Sequence, residues 1–119
     1  MNIRSFLPSL LLASALTGCG ISRTDARDRA TQAWCARFQE CEGFGDGRTY
    51  TSRDDCEVRQ RDFWHSAWPA DRCEDSINSE AFDTCLRAIS ITDCRNGFDV
   101  LNTLGKCSAG EVCARPASN

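Results

Sequence analysis

The sequence predicts an all-α fold, a small bundle of three to four helices stapled by about four disulfides. Three observations carry this. Apolar residues recur at helical spacing in separate segments, and no alternating strand pattern rises above noise. Nine cysteines in 119 residues is several times ordinary usage, the mark of a disulfide scaffold or of a metal or cluster protein. With 41% hydrophobic positions, the chain holds material for one small domain, whose limited core makes cross-links a large share of its stability.

The elements follow in order. Residues 25–41 read as the first helix, because Ala26, Ala30, Ala33 with Trp34, Phe38 and Cys41 fall on one buried stripe. Thr24 or Ser22 can cap it, and Asp25 and Asp28 favour its N-terminal dipole. Glu42-Gly43-Phe44-Gly45-Asp46-Gly47 breaks it, since glycines at alternate positions make a loop. Residues 52–68 read as the second helix. Ser52 and Asp55 form a variant capping box, Cys56, Gln60, Phe63 with Trp64, and Ala67 line one face, and Pro69 ends the run. Residues 69–75 read as polar loop. Residues 79–90 form the third helix, with Ser79 as cap and Phe82, Cys85, Leu86 and Ile89 as its stripe. Residues 92–96 read as a turn of helix cut by Gly97. Residues 98–104, with Val100, Leu101 and Leu104, make a fourth short helix ending at Gly105. Residues 107–119 read as irregular, the last six as a flexible tail. Neither repeats nor a second domain are visible.

The N-terminal segment reads as targeting. Arg4 makes residues 1–5 positive, and 6–16 are mostly apolar. That run of about eleven residues is too short to cross a bilayer core of about 30 Å as a helix, but it suits a signal-peptide core. It ends in Leu16-Thr17-Gly18-Cys19, which resembles the lipobox of bacterial lipoproteins. The resemblance implies that small residues admit the lipoprotein signal peptidase and that the Cys19 thiol takes a diacylglycerol before cleavage. The expected division is therefore 1–18 lipoprotein signal peptide, 19–24 lipidated tether, 25–113 cysteine-rich helical domain and 114–119 tail. Gly20, where inner-membrane lipoproteins of enteric bacteria carry Asp, favours the outer membrane, with the domain periplasmic or surface-facing.

With Cys19 consumed by lipid, Cys35, Cys41, Cys56, Cys73, Cys85, Cys94, Cys107 and Cys113 remain, an even set. No two are spaced C-x-x-C and the only histidine is His65, so zinc ribbons, redox pairs and the common cluster motifs are poorly supplied; no metal and no cofactor are expected. Eight cysteines allow 105 pairings. Cys35 and Cys41, six apart on one helix, are separated by about 9 Å of rise and about 240° of rotation, beyond the roughly 6.8 Å a disulfide tolerates. They must face different partners. An antiparallel helix pair places Cys41 beside Cys56, so Cys41–Cys56 is expected, then Cys35–Cys94, with local Cys73–Cys85 and Cys107–Cys113 completing the set.

Candidate sites are few. Trp64-His65-Ser66 with Trp68 is the densest aromatic cluster. It reads either as a stacking platform for a sugar or peptide with His65 as polar contact, or as core with His65 on the solvated side; the core reading is favoured. The acidic glycine loop fails as an EF-hand, since from Glu42 its third position is Phe44 and its twelfth Arg53. The acids are scattered, so carboxylate pairs carry no signal. No catalytic residue is assigned and no enzyme is expected. A net charge of −3 excludes a strongly basic nucleic-acid binder.

The layout is similar to a loose class of small cysteine-rich lipoproteins of unknown function in Gram-negative bacteria. Carrying it are Cys35-x5-Cys41, the segment from Gly43-Phe44-Gly45-Asp46-Gly47 to Asp54-Asp55-Cys56, the Trp-rich helix, Cys73, Phe82-Asp83-Thr84-Cys85-Leu86-Arg87-Ala88-Ile89 and Cys94. The likeness spans roughly residues 19 to 113. It implies a lipid-anchored helical domain that meets the membrane through Cys19, and no particular activity. A structural or binding role leads, with an unknown protein or small-ligand partner. A glycan or small-ligand binder using Trp64 and Trp68 is the alternative, ahead of a hydrolase or redox protein.

Overall fold

The computed structural model describes residues 20–74 and 76–113. The expected signal peptide, Cys19 and the expected tail lie outside the described residues. Elements run β1 (Gly20–Ser22), α1 (Arg23–Cys41), α2 (Arg53–Ala67), α3 (Ala70–Cys73), β2 (Ser76–Asn78), α4 (Ser79–Ile91), α5 (Gly97–Lys106) and α6 (Ala109–Val112). The four longer helices form the expected bundle; α3 and α6 are single turns.

Helix α1 starts two residues before the expected point, because Ser22 and not Thr24 caps it, its hydroxyl accepting from the Asp25 N–H at 3.1 Å. Its buried face carries Ala26, Ala30, Trp34 and Phe38 as the spacing requires, with Thr31 and Cys35 between them. Gly43 ends it in the left-handed region (φ 76°), its N–H reaching the Phe38 carbonyl at 3.0 Å. Helix α2 is capped by Ser52, which accepts from the Asp55 N–H at 3.0 Å, while the Asp55 carboxylate accepts from Thr51 N–H at 3.0 Å. For α4 the cap is Asn78, one residue earlier than Ser79.

Three expectations need correction. Within the expected 19–24 tether, Gly20–Ser22 pair antiparallel with Ser76–Asn78, in the register Gly20↔Asn78, Ile21↔Ile77, Ser22↔Ser76, and Arg23 and Thr24 already belong to α1. Three residues per strand are too few to show period-two alternation. Residues 69–75 contain α3, started by Pro69. Residues 109–112, expected to be irregular, form α6.

The core is a run of aromatic rings crossing the bundle. Trp34 stacks on Phe38 at 5.1 Å and meets Trp64 edge-on at 6.1 Å. Trp64 stacks on Trp68 at 4.6 Å, and Trp68 meets Phe82 of α4 edge-on at 5.9 Å. Helices α1, α2 and α4 thus share one apolar centre, which Ile77 of β2 and Val112 of α6 join.

All eight expected cysteines are bridged, and Cys35 does not pair with Cys41, but each expected pairing is replaced. The bridges are Cys35–Cys56, Cys41–Cys94, Cys73–Cys113 and Cys85–Cys107. The loop between α1 and α2 explains the first two. It folds back on itself, with Gly45 N–H bonded to the Tyr50 carbonyl at 3.1 Å and Tyr50 buried against Phe38. That return sets the first turn of α2 opposite Cys35 and leaves Cys41 at the bundle end. There Cys94 meets it, just past α4, whose following Thr92 carbonyl accepts from Arg37 Nε at 2.9 Å. The last two pairs are long-range: Cys85 on the buried face of α4 meets Cys107 after α5, and Cys73 of α3 meets Cys113 after α6.

Candidate functional site

The aromatic platform is overturned by burial. Trp64 is 1% exposed and Trp68 is fully buried. Trp68 Nε1 donates to the Cys107 carbonyl at 2.7 Å, tying α2 to the end of α5. Both rings are occupied by other rings, so no sugar or peptide stacks on them. The reason lies in helix geometry: residues four apart share a face, and here that face points at α1 and α4.

His65 lies on the solvated side of α2, where neighbours about 100° apart must fall once Trp64 is buried. The Arg27 guanidinium of α1 donates to His65 Nδ1 and, through its other terminal nitrogen, to Thr24 Oγ1 at 3.3 Å. Arg61 reaches Asp28 at 3.9 Å. Arg27, Asp28, Arg61, Asp62 and His65 line an open cleft of about 240 Å³ between the N-terminal half of α1 and the C-terminal half of α2. Spacing within one helix could not show this, because the cleft depends on the register of α2 along α1.

Tyr50 is the buried polar centre. Its hydroxyl accepts from Trp34 Nε1 at 3.0 Å and Gln60 Nε2 at 2.8 Å, and the Arg59 guanidinium sits 4.9 Å from its ring centre. Burial pushes the phenol pKa above its usual 10.0, outweighing the two hydrogen bonds and the arginine, which pull it down. It is neutral at physiological pH and ties the loop to both helices.

A second surface was missed by the sequence reading. Ile91 is 77% exposed, Phe98 87% and Leu101 67%. Phe98 and Leu101, three apart, lie on the face of α5 away from its buried Thr103, and Leu101 also lines a groove of about 460 Å³ with Ala81, Thr84 and Gly105. Four apolar residues in a helix of ten are no more than one stripe uses, so composition carried no signal; their exposure follows from which face of α5 packs on α4.

Among the described residues, no helix is long and apolar enough to cross a membrane, and no group of three or more His, Cys, Asp or Glu is placed to hold a metal ion. Residues 35–115, a span that contains every bridged cysteine, match the model of a family of unknown function, DUF6184. No curated protein and no solved structure matches the chain.

Proposed function

Because the chain belongs to the DUF6184 family, whose function is unknown, we propose its role from its own build: a lipid-anchored, extracytoplasmic, disulfide-stapled helical domain. It acts structurally or by binding, without enzymatic activity, at the outer membrane of a bacterium. The carrying observation is the distribution of cysteines. Eight of the nine in the sequence are joined in four bridges, and the ninth is Cys19, the residue that closes Leu16-Thr17-Gly18-Cys19. Four bridges in so small a domain suit an oxidising compartment. A bridged body with one cysteine set apart in a lipobox is what anchoring requires, and Gly20 in place of Asp supports the outer membrane.

The fold starts at once after that cysteine, since Gly20 already belongs to β1. The link from lipid to folded body is then a single residue step of about 3.8 Å, in place of a tether of several residues, and the domain sits against the headgroups. Metabolic labelling with palmitate tests the anchor. The intact chain is expected to take label and sediment with membranes. Cys19→Ser is expected to take no label and to leave an uncleaved or soluble precursor, and label that survives this substitution unchanged removes the proposal. Two or more acyl chains are enough for stable anchoring.

A further inference from the structure

We propose that the cleft between α1 and α2 is a binding site for a small zwitterion, an oxyanion and an ammonium group a few ångströms apart, of the phosphoethanolamine type. The cleft carries two guanidiniums, Arg27 and Arg61, and two carboxylates, Asp28 and Asp62, together with His65. A simple anion entering it meets both carboxylates, and a simple cation meets both guanidiniums. Only a ligand bearing both signs is favoured by all four.

The charges have not collapsed onto one another. The contact between Arg61 and Asp28 is 3.9 Å long, with both side chains half-exposed, so redirecting it costs little. Arg27 bonds to His65 and Thr24 and not to either carboxylate. Asp62 makes no ion pair among the described residues. A planar guanidinium presents a fork that matches a phosphate or carboxylate, and Arg27 keeps donors in reserve for one. The His65 ring adds a further polar group to the cleft. The carboxylates accept from a primary ammonium, which a quaternary one cannot supply.

Size narrows the ligand. A cleft of about 240 Å³ lies below the roughly 300–1,000 Å³ of sites for drug-sized ligands, so a headgroup-sized molecule fits and a sugar chain does not. Position favours a lipid source. Arg27 lies in the second turn of α1, directly after β1, at the end of the domain where the proposed anchor enters. This last step depends on the anchoring proposal; the site itself does not.

The test uses the full chain carrying Cys19→Ser, which cannot be acylated, so that failure of the site and failure of the anchor are separate results. His65 is the only histidine, and its ring gives one assignable NMR signal. Titration with O-phosphoethanolamine is expected to move that signal saturably. Phosphocholine and inorganic phosphate are expected to bind at least tenfold more weakly, as is O-phosphoethanolamine to the exposed-site variants Arg27→Gln and Asp62→Asn, with tryptophan emission confirming that each variant is folded. No saturable shift, an equal response to phosphate alone, or unchanged binding by both variants overturns the proposal. Flotation of the same protein with phosphatidylethanolamine vesicles, and not with phosphatidylcholine vesicles, supports a headgroup source. Binding of the free zwitterion without flotation overturns that source and assigns the site to a soluble zwitterion.

Discussion

Trp68 and Phe98 show how differently two aromatic residues can be used in one small domain. Trp68 is fully buried, stacked on Trp64, packed on Phe82 and bonded to the Cys107 carbonyl. Trp68→Ala should lose about 3–5 kcal/mol of stability through cavity formation, read as a lower urea midpoint. Phe98, 87% exposed, should tolerate Phe98→Ser within about 0.5 kcal/mol; a loss as large as that of Trp68→Ala would place Phe98 in the core and refute the described α5 face. Tyr50 is the only tyrosine in the chain, so phenolate absorbance reads it alone. Its folded pKa lies above 10.0, so above the unfolded value the native state holds a proton that the unfolded chain has released. Stability from this group is therefore complete below about pH 10 and falls as pH rises through the folded pKa. Phenolate absorbance of the folded protein should emerge at higher pH than in urea; the reverse order would contradict the burial of the ring.

At the scale of elements, local chemistry and packing divide the work. Ser22, Ser52, Asn78 and Asn96 each cap a helix through a side-chain oxygen, and two of the four, Ser22 and Ser52, were legible because short polar residues before apolar periodicity have a local reason to be there. The cysteine pairing was not legible. It depends on where α2 begins relative to α1, and that is set by the fold-back of the loop over Tyr50. Cys41–Cys94 spans 53 residues and ties the ends of α1 and α4. Because it closes the longest loop, its removal by Cys41→Ser with Cys94→Ser should cost about 4 kcal/mol by loop entropy, against about 3 kcal/mol for the entropic part of a 21-residue closure such as Cys35–Cys56. Thermal unfolding of the double variant measures this, and an unchanged midpoint would show that the bridge constrains nothing.

For the whole molecule, the bridges join segments that are otherwise short. Helices α3 and α6 are four residues each and β1 and β2 three, too short to persist alone. Cys73–Cys113 ties α3 to the segment after α6, while α4 and α5 are held by Cys85–Cys107. Complete reduction should abolish cooperative unfolding in circular dichroism, since a core of this size supplies only a few kcal/mol without cross-links; a reduced chain that still melts cooperatively near the oxidised midpoint would show the aromatic core to be sufficient.

The sequence by itself determined the class, the positions of the four longer helices, the participation of eight cysteines and the exclusion of a Cys35–Cys41 bridge, because each of these follows from spacing within ten or twenty residues. Tertiary structure decided which cysteines meet, that Trp64 and Trp68 are core and not a platform, that residues 20–22 pair with 76–78, and that Arg27 and Arg61 converge with His65. These depend on the register of one helix along another and on the path of a loop. That register is chosen by the packing of Trp34, Phe38, Tyr50 and Trp64 together, a many-body fit across three elements that no periodicity within one element can encode.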